Sequence, residues 1–544
     1  MGADSCSPTP GFHSIPKSHQ VFSIPELAAF VARFSTRQDC ARLVRTCKTL
    51  YNATVPFVWE TVYGAQNLLL LIDRADTWSS ACRGEVPDIY LMGSFRASGS
   101  IFARFDFYAL YVKYLDVYGP KGETFKVIGW EGLVARARQR VLLPNLRTLA
   151  LRSAHGASDQ LMWVGTFSSP SLVNLSITDG NLWDAPTISY RAASSIMKSL
   201  AAHHPKLERL ELFPSSELDD YVGEDDSYAF PSGDPFYKYT EHFTNLKRLA
   251  CTFAWFREPA LRVLGQLPHL KSLDVYGIDE LEETSVELSN DSFPSLRSLY
   301  LHSLSPIDAG GTLKITQMVR ALTLLRIDLN IEDLIHTDVD HEIWQAMEEF
   351  FSLLLNAPHL TDLWIDLDSN GDLGEAIAID KFDLGALQRL PLKRLRLGQM
   401  CLSDDALQLD LALVWPSVTR LSIPQQPASL AMLPLFTALP KLYHLELQLE
   451  LGELANVCNK IASPLKVLQA SPSSALCSKF QELDQIICAL LDIFPNLIQM
   501  NWPNGEGDTS SNFEPTYGHV SLVNDRRAAL LELVALSDSQ LRPS

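Results

Sequence analysis

The chain has 544 residues, 47% hydrophobic and 20% charged, enough for three or four domains at roughly 150 residues each and for a sizeable buried core. Its longest purely aliphatic run, Leu68 to Ile72, falls far short of the roughly 20 residues a bilayer span needs, so no membrane partnership is expected. With 45 basic against 64 acidic residues, net −19, the chain repels a phosphate backbone, and nucleic acid is not an expected partner.

Residues 1–20, MGADSCSPTPGFHSIPKSHQ, form a polar, Pro-containing tail without the apolar centre of a signal peptide, so disorder is expected and secretion is not. The Met1-Gly2 start lacks the Ser or Thr that myristoylation wants at position six, where Cys6 stands. Nine cysteines, an odd number and never in a C-x-x-C pair, suggest neither a disulfide framework nor a zinc ribbon. A reducing cytoplasmic or nuclear setting and the absence of any cofactor or metal are therefore expected.

Residues 21–62 have the texture of three short helices. Pro25 suits a first turn, and Leu27, Phe30, Val31 and Phe34 share one helical face. Asp39 opens a second helix with Leu43, Val44, Cys47 and Leu50 on its stripe, and a third carries Val55, Val58 and Trp59. Burying four such side chains contributes at most roughly 6–12 kcal/mol. Ordering about forty residues costs several times that, so the module must pack on something. Residues 63–110 are expected to be a linker that enters a solenoid at residue 111.

From there a repeat takes over. The phrase L-x-x-L-x-L recurs thirteen times between Leu146 and Leu497, as in LRTLAL, LERLEL, LKSLDV, LRSLYL and LKRLRL, with VKYLDV at Val112 an earlier copy. The spacing averages about 29 residues, which suits leucine-rich repeats. Proline sits two residues before nine of these anchors; it ends one element and turns its predecessor extended. Helical faces precede several of these prolines, at His341–Asn356 (Ile343, Met347, Phe350, Phe351, Leu354) and Gln481–Phe494. Each repeat thus reads as helix, Pro turn and strand, and stacking them predicts an α/β solenoid over 111–505 with a concave parallel sheet and outer helices. No Asn or Cys ladder follows the last leucine, so irregularity is expected. The acidic stretch 218–235 reads as an insertion, and 506–544 as a linker with a capping helix at 525–536.

No catalytic constellation is present, so an enzyme is not expected. There is no P-loop, Rossmann glycine motif, G-x-S-x-G or H-E-x-x-H. Asp366, Asp368, Asn370 and Gly371 mimic half an EF-hand loop, but Ile377 stands where its bidentate Glu belongs. His203-His204 read as partners of a helix C-terminus. On the strands, residues flanking the inner leucines should face the concave side. These positions hold seven Arg, seven acids, no Lys and several aromatics, a protein-binding composition. Tyr276, Tyr300, Trp364, Arg394 and Arg396 are the candidate target anchors.

The sequence Ile24-Pro25, Glu26-Leu27, Phe30, Phe34, Asp39, Leu43, Cys47-Lys48 and Trp59 resembles the F-box. Phe34 replaces the usual Leu, and Leu50-Tyr51 stands where Trp is frequent. Together with the repeats, this resembles the fungal type of F-box protein with leucine-rich repeats. The resemblance implies a substrate receptor of a cullin-RING (SCF) ubiquitin ligase. A Skp-type adaptor would dock on Ile24, Pro25, Leu27, Phe30, Phe34, Leu43, Cys47 and Leu50, and the repeats would hold the target protein. The alternative is a repeat scaffold with no ligase association, in which 21–62 are only a cap.

Overall fold

The computed structural model describes residues 24–73, 75–78, 88–91, 101–119, 125–152, 157–177, 186–204, 206–215, 234–277, 288–331, 340–368, 376–451, 463–476, 490, 493–494 and 496–501. The amino-terminal tail, most of the 218–235 insertion, most of the 481–494 stretch and the carboxy-terminal helix expected at 525–536 lie outside the described residues. Two compact units make up the chain: residues 1–212 with 229–243, and residues 213–228 with 244–544. No helix among the described residues is long and apolar enough to cross a membrane.

In the first unit, three helices come first: α1 (Pro25–Phe34), α2 (Arg37–Leu43) and α3 (Lys48–Trp59). Pro25 takes the first turn of α1, as its fixed φ favours. Thr36 caps α2: its Oγ1 accepts from the Asp39 N–H at 3.2 Å and donates to the Asp39 carboxylate at 2.7 Å. The helix therefore begins before Asp39. Five short strands come next, β1 (Thr61–Tyr63), β2 (Tyr114–Asp116), β3 (Thr148–Ala150), β4 (Asn174–Ser176) and β5 (Arg209–Glu211), parallel and in that order. The sheet thus starts two residues after α3 and borrows the end of the helical module. Residues 63–110 are more than a connection, since they contribute α4 (Ala103–Ala109).

The module packs through aromatic groups. Trp59 of α3 stacks on Tyr108 of α4 with ring centroids 4.5 Å apart, and the Tyr51 and Tyr108 hydroxyls hydrogen-bond at 2.8 Å. Further along, α5 (Tyr190–His203) buries Ala193, Ile196, Met197 and Leu200. His203 lies exposed at its end with Nδ1 2.9 Å from the Ser199 carbonyl oxygen. His204 differs from the sequence expectation. It is buried, and desolvation, reinforced by His203, lowers its pKa to about 4.

The second unit repeats one plan ten times. Its strands are β6 (Arg248–Thr252), β7 (Ser272–Tyr276), β8 (Ser298–Leu304), β9 (Leu324–Asn330), β10 (Asp362–Asp368), β11 (Arg394–Gly398), β12 (Arg420–Ser429), β13 (His444–Leu451), β14 (Val467–Ala470) and β15 (Gln499–Asn501). All pair in parallel with their sequence neighbours. The register aligns Leu249, Leu273, Leu299, Leu325, Leu363, Leu395, Leu421, Leu445, Leu468 and Met500 in one buried row. Side chains alternate along a strand, so residues before and after each leucine face the other way.

Helices occupy the connections, among them α6 (Glu258–Gly265), α7 (Pro306–Leu313), α8 (Asp340–Leu353) and α9 (Lys381–Gln388). On α8 and the turn after it, Met347, Phe350, Phe351 and Leu354 are buried, the face the 3.6-residue period predicts. Ser305 caps α7, accepting from the Asp308 N–H at 3.1 Å, with Pro306 in the first turn. This is a leucine-rich-repeat fold, defined by the register itself.

Just before each strand but the last, one carbonyl accepts two N–H groups from the next strand. Lys247 O takes the Lys271 and Ser272 N–H groups at 2.8 and 3.0 Å, and Lys271 O takes those of Arg297 and Ser298 at 2.9 and 3.0 Å. The same forked bond recurs on the carbonyls of Arg297, Thr323, Thr361, Lys393, Thr419, Tyr443 and Lys466.

The alternation predicts unequal costs on the two faces of a strand. Leu325→Ala, at a fully buried position, should lower stability by about 2–5 kcal/mol, whereas Leu324→Ala, half-buried on the opposite face, should cost less than about 1 kcal/mol. Urea midpoints that fall equally for the two variants would contradict the assigned alternation. A further expectation concerns His204. Its folded pKa lies below the ordinary value of about 6.5, so the unfolded chain takes up the proton first. Stability is therefore intact above pH 6.5 and drains away toward pH 4, by roughly 2–3 kcal/mol. His204→Leu should flatten the melting temperature across this window, and an unchanged slope would show that His204 is not its source.

Candidate protein-binding surfaces

The first surface lies on α1. The module's interior is made by small residues: Ala28 and Ala32 of α1, Cys40 of α2, and Leu50, Thr54 and Val55 of α3 are all buried, with Cys40 Sγ 3.2 Å from the Ala32 carbonyl oxygen. The large apolar residues point outward instead. Ile24 is 46% exposed, Leu27 43%, Phe30 62% and Phe34 74%, and the Phe30 and Phe34 rings lie 4.8 Å apart. Pro25 and Cys47 are also exposed, Leu43 is half-buried and Leu50 is buried. The eight module residues singled out from sequence thus divide: most share an open surface, while Leu50 belongs to the interior. The sequence pattern placed the large residues on one face and overlooked Ala28 and Ala32, whose four-residue spacing marks the inward one.

A contiguous apolar surface of this kind is unusual for an unpartnered helix.

The second surface is the sheet face opposite the leucine row in the second unit. In its first row, register sets Arg248, Ser272, Ser298, Leu324, Asp362, Arg394, Arg420 and His444 side by side. The second row runs Asp274, Tyr300, Arg326, Trp364, Arg396, Ser422, Glu446 and Gln469. Because neighbours in a row come from strands about 4.8 Å apart, cations and acids meet across strands. Arg248 Nε donates to Asp274 at 2.7 Å, and Arg394 pairs with Asp362. Arg396 donates to Asp366 at 2.9 Å and reaches Ser422 at 3.2 Å and Glu446 at 3.4 Å. Ser422 and Gln469 close that network by donating to Glu446 at 2.5 and 3.1 Å.

Aromatic rings fill the spaces between these pairs. The Arg248 guanidinium lies 5.9 Å from the Tyr300 ring and Arg326 lies 5.7 Å from Trp364, both within cation–π range. Tyr276 is buried, wedged between Phe213 at 5.0 Å and His302 at 4.7 Å, and His302 Nδ1 is 2.8 Å from the Asp328 carboxylate. Of the five target candidates, Tyr300, Trp364 and Arg396 are half-buried, Arg394 is exposed, and Tyr276, two residues beyond Asp274 on the same face, is buried. The structure therefore preassembles part of the surface: Arg248, Arg394 and Arg396 are held by acids on other strands. Sequence reasoning placed arginines and acids on this face without pairing them; the partners lie one or two repeats apart.

Gly398 makes the Arg396 site possible. It stands opposite Asp366 in the register, and a Cβ there would collide with the Asp366 carboxylate that Arg396 holds. Burial pushes His444, the neighbour of Arg420 in the first row, toward the neutral form, and the Arg420 guanidinium pushes it further.

Neither a family model nor a curated protein matches the sequence. Among solved structures, the chain is similar to TLR13 in its complex with ssRNA13, at a TM-score of 0.32 and 15% identity, covering 79% of this chain and 60% of that one. It is also similar to the internalin InlF of Listeria monocytogenes (0.29, 14%, 75% and 97%) and to the mouse RP105/MD-1 complex (0.29, 12%, 77% and 67%).

The Gly398 geometry is directly testable. Gly398→Ala should destabilise the second unit by about 1–3 kcal/mol, and in an Asp366→Ala background the same change should cost less than about 0.5 kcal/mol. Additive costs in this double-mutant cycle would remove the carboxylate as the reason for the glycine.

Proposed function

We propose that the protein is the substrate-recognition subunit of an SCF-type ubiquitin ligase, working in the cytoplasm or nucleus and not itself a catalyst. The helical module docks on a Skp-type adaptor, and the repeats hold the target protein. The observation that carries this reading is the division of labour on α1: small residues complete the module's own interior while Ile24, Leu27, Phe30 and Phe34 are left facing outward. A cap that served only to close the repeats would turn its large residues inward, where each is worth roughly 1.5–3 kcal/mol. The target lies across the first two sheet rows, over Arg394 of the first and Tyr300, Trp364 and Arg396 of the second, with Tyr276 as support.

Co-expression with a Skp-type adaptor tests the proposal. The full chain should capture the adaptor, and Phe30→Asp with Phe34→Asp should weaken capture by about a hundredfold or more, because two apolar contacts are replaced by desolvated charge. Both positions are open to solvent, so the variant's melting temperature should match the parent's. Capture undiminished in the double variant, or none by the parent, would sink the ligase reading.

A further inference from the structure

The lead-in turns of the second unit carry a charge opposite in sign to that of the whole chain. The four residues ending at the first residue of each of its ten strands hold nine Lys or Arg and one acid, Asp362. A chain-average composition would put about three cations and about five acids there. The strip therefore reverses the sign of a chain with net charge −19.

Its alignment is fixed by backbone. The forked carbonyl bonds belong to Lys247, Lys271, Arg297, Thr323, Thr361, Lys393, Thr419, Tyr443 and Lys466, so those residues succeed one another strand by strand along one edge. Asp362 is taken up by Arg394, and Arg248 by Asp274. Lys271, Arg297, Lys393, Arg420, Lys441 and Lys466 are exposed and have no acidic partner among the described residues. Lys393, Arg420, Lys441 and Lys466 come from four consecutive repeats: Lys393 and Lys466 hold the fork positions, Arg420 follows its fork residue Thr419 by one, and Lys441 precedes its fork residue Tyr443 by two. Surface cations on adjoining repeats repel one another, and an anion relieves that repulsion.

We infer that this edge binds an acidic linear segment of the target protein, running across the strands; the inference rests on the reading of the repeats as a protein-binding surface. An extended peptide advances roughly 6.8 Å per two residues, so its carboxylates meet cations spaced about one to two strands apart. A nucleic acid fits less well. The adjoining sheet rows carry Asp274, Asp328, Asp362, Asp366 and Glu446, which a duplex would overhang and a single peptide strand would not. The exposed ring on the edge, Tyr443, is already faced by the Lys466 ammonium at 5.6 Å and offers no free stacking platform.

Fluorescence anisotropy on the full chain, without adaptor, tests this with three labelled probes: a twelve-residue Glu/Ser peptide, its Gln/Ser counterpart, and a twelve-nucleotide oligo-dT. The Glu/Ser peptide should bind and weaken with salt, and Arg420→Glu with Lys441→Glu should weaken it by about tenfold or more. Lys314→Glu, on the helix-bearing side, should leave it unchanged. Equal binding of the Gln/Ser peptide, no binding of the Glu/Ser peptide, or indifference to the double reversal would overturn the proposal. Tighter binding of oligo-dT than of the Glu/Ser peptide would overturn it in favour of nucleic acid. Adaptor capture by the same variants separates the two readings: loss of peptide binding with capture intact confirms the strip as an independent site, whereas capture failing with peptide binding intact defeats only the ligase reading.

Discussion

Before every strand of the second unit but the last, a single carbonyl oxygen holds two N–H groups of the following strand. A strand can join the sheet only if its lead-in residue reaches that oxygen, and this sets the register of everything downstream. The leucine row is buried because of it, and the cations and acids of the opposite face meet their partners because of it. Variation is consequently confined to the far end of each strand, where register shifts occur, as between Leu301 and Leu304 and between Ile423 and Pro427. Such an arrangement is close to one-dimensional: each repeat is indexed to its predecessor and to little else.

The helical module obeys a different logic. Its interior is too small to order forty residues, being built from alanines, a cysteine, a threonine and a few aliphatic groups. Docking of Trp59 and Tyr51 on Tyr108 supplies the missing support. Because Thr61–Tyr63 then continues directly into the sheet, helices and sheet share a chain segment with no free linker between α3 and β1. That arrangement seats α1, with its outward apolar face, on a module tied directly to the first strand of the sheet.

The repeat was legible in the sequence because its signal is local: the leucine spacing and the prolines fix strand and turn within six residues. The α8 face was legible for the same reason. What escaped was whatever depends on a residue one repeat away. Nothing near Arg396 in sequence announces Glu446, nothing near Gly398 announces the Asp366 carboxylate, and Phe213 gives no local sign that it will wall in Tyr276. On α1 the stronger pattern of large residues concealed the weaker pattern of Ala28 and Ala32. The fate of His204 was equally non-local, since burial alone separates it from the exposed His203.

The phenol pair that fastens the module has a spectroscopic side. Its hydrogen bond to Tyr108, with burial assisting, raises the Tyr51 pKa to about 12, well above the ordinary value near 10. The docked state thus favours the protonated phenol, so its contribution is complete at neutral pH and drains away only as the solution passes pH 10 toward 12. Losing the Tyr108 bond removes the upward pull on Tyr51, so tyrosinate absorbance above pH 10 should rise when the module is loosened. The chain carries a native optical reporter of whether its amino-terminal helices are attached.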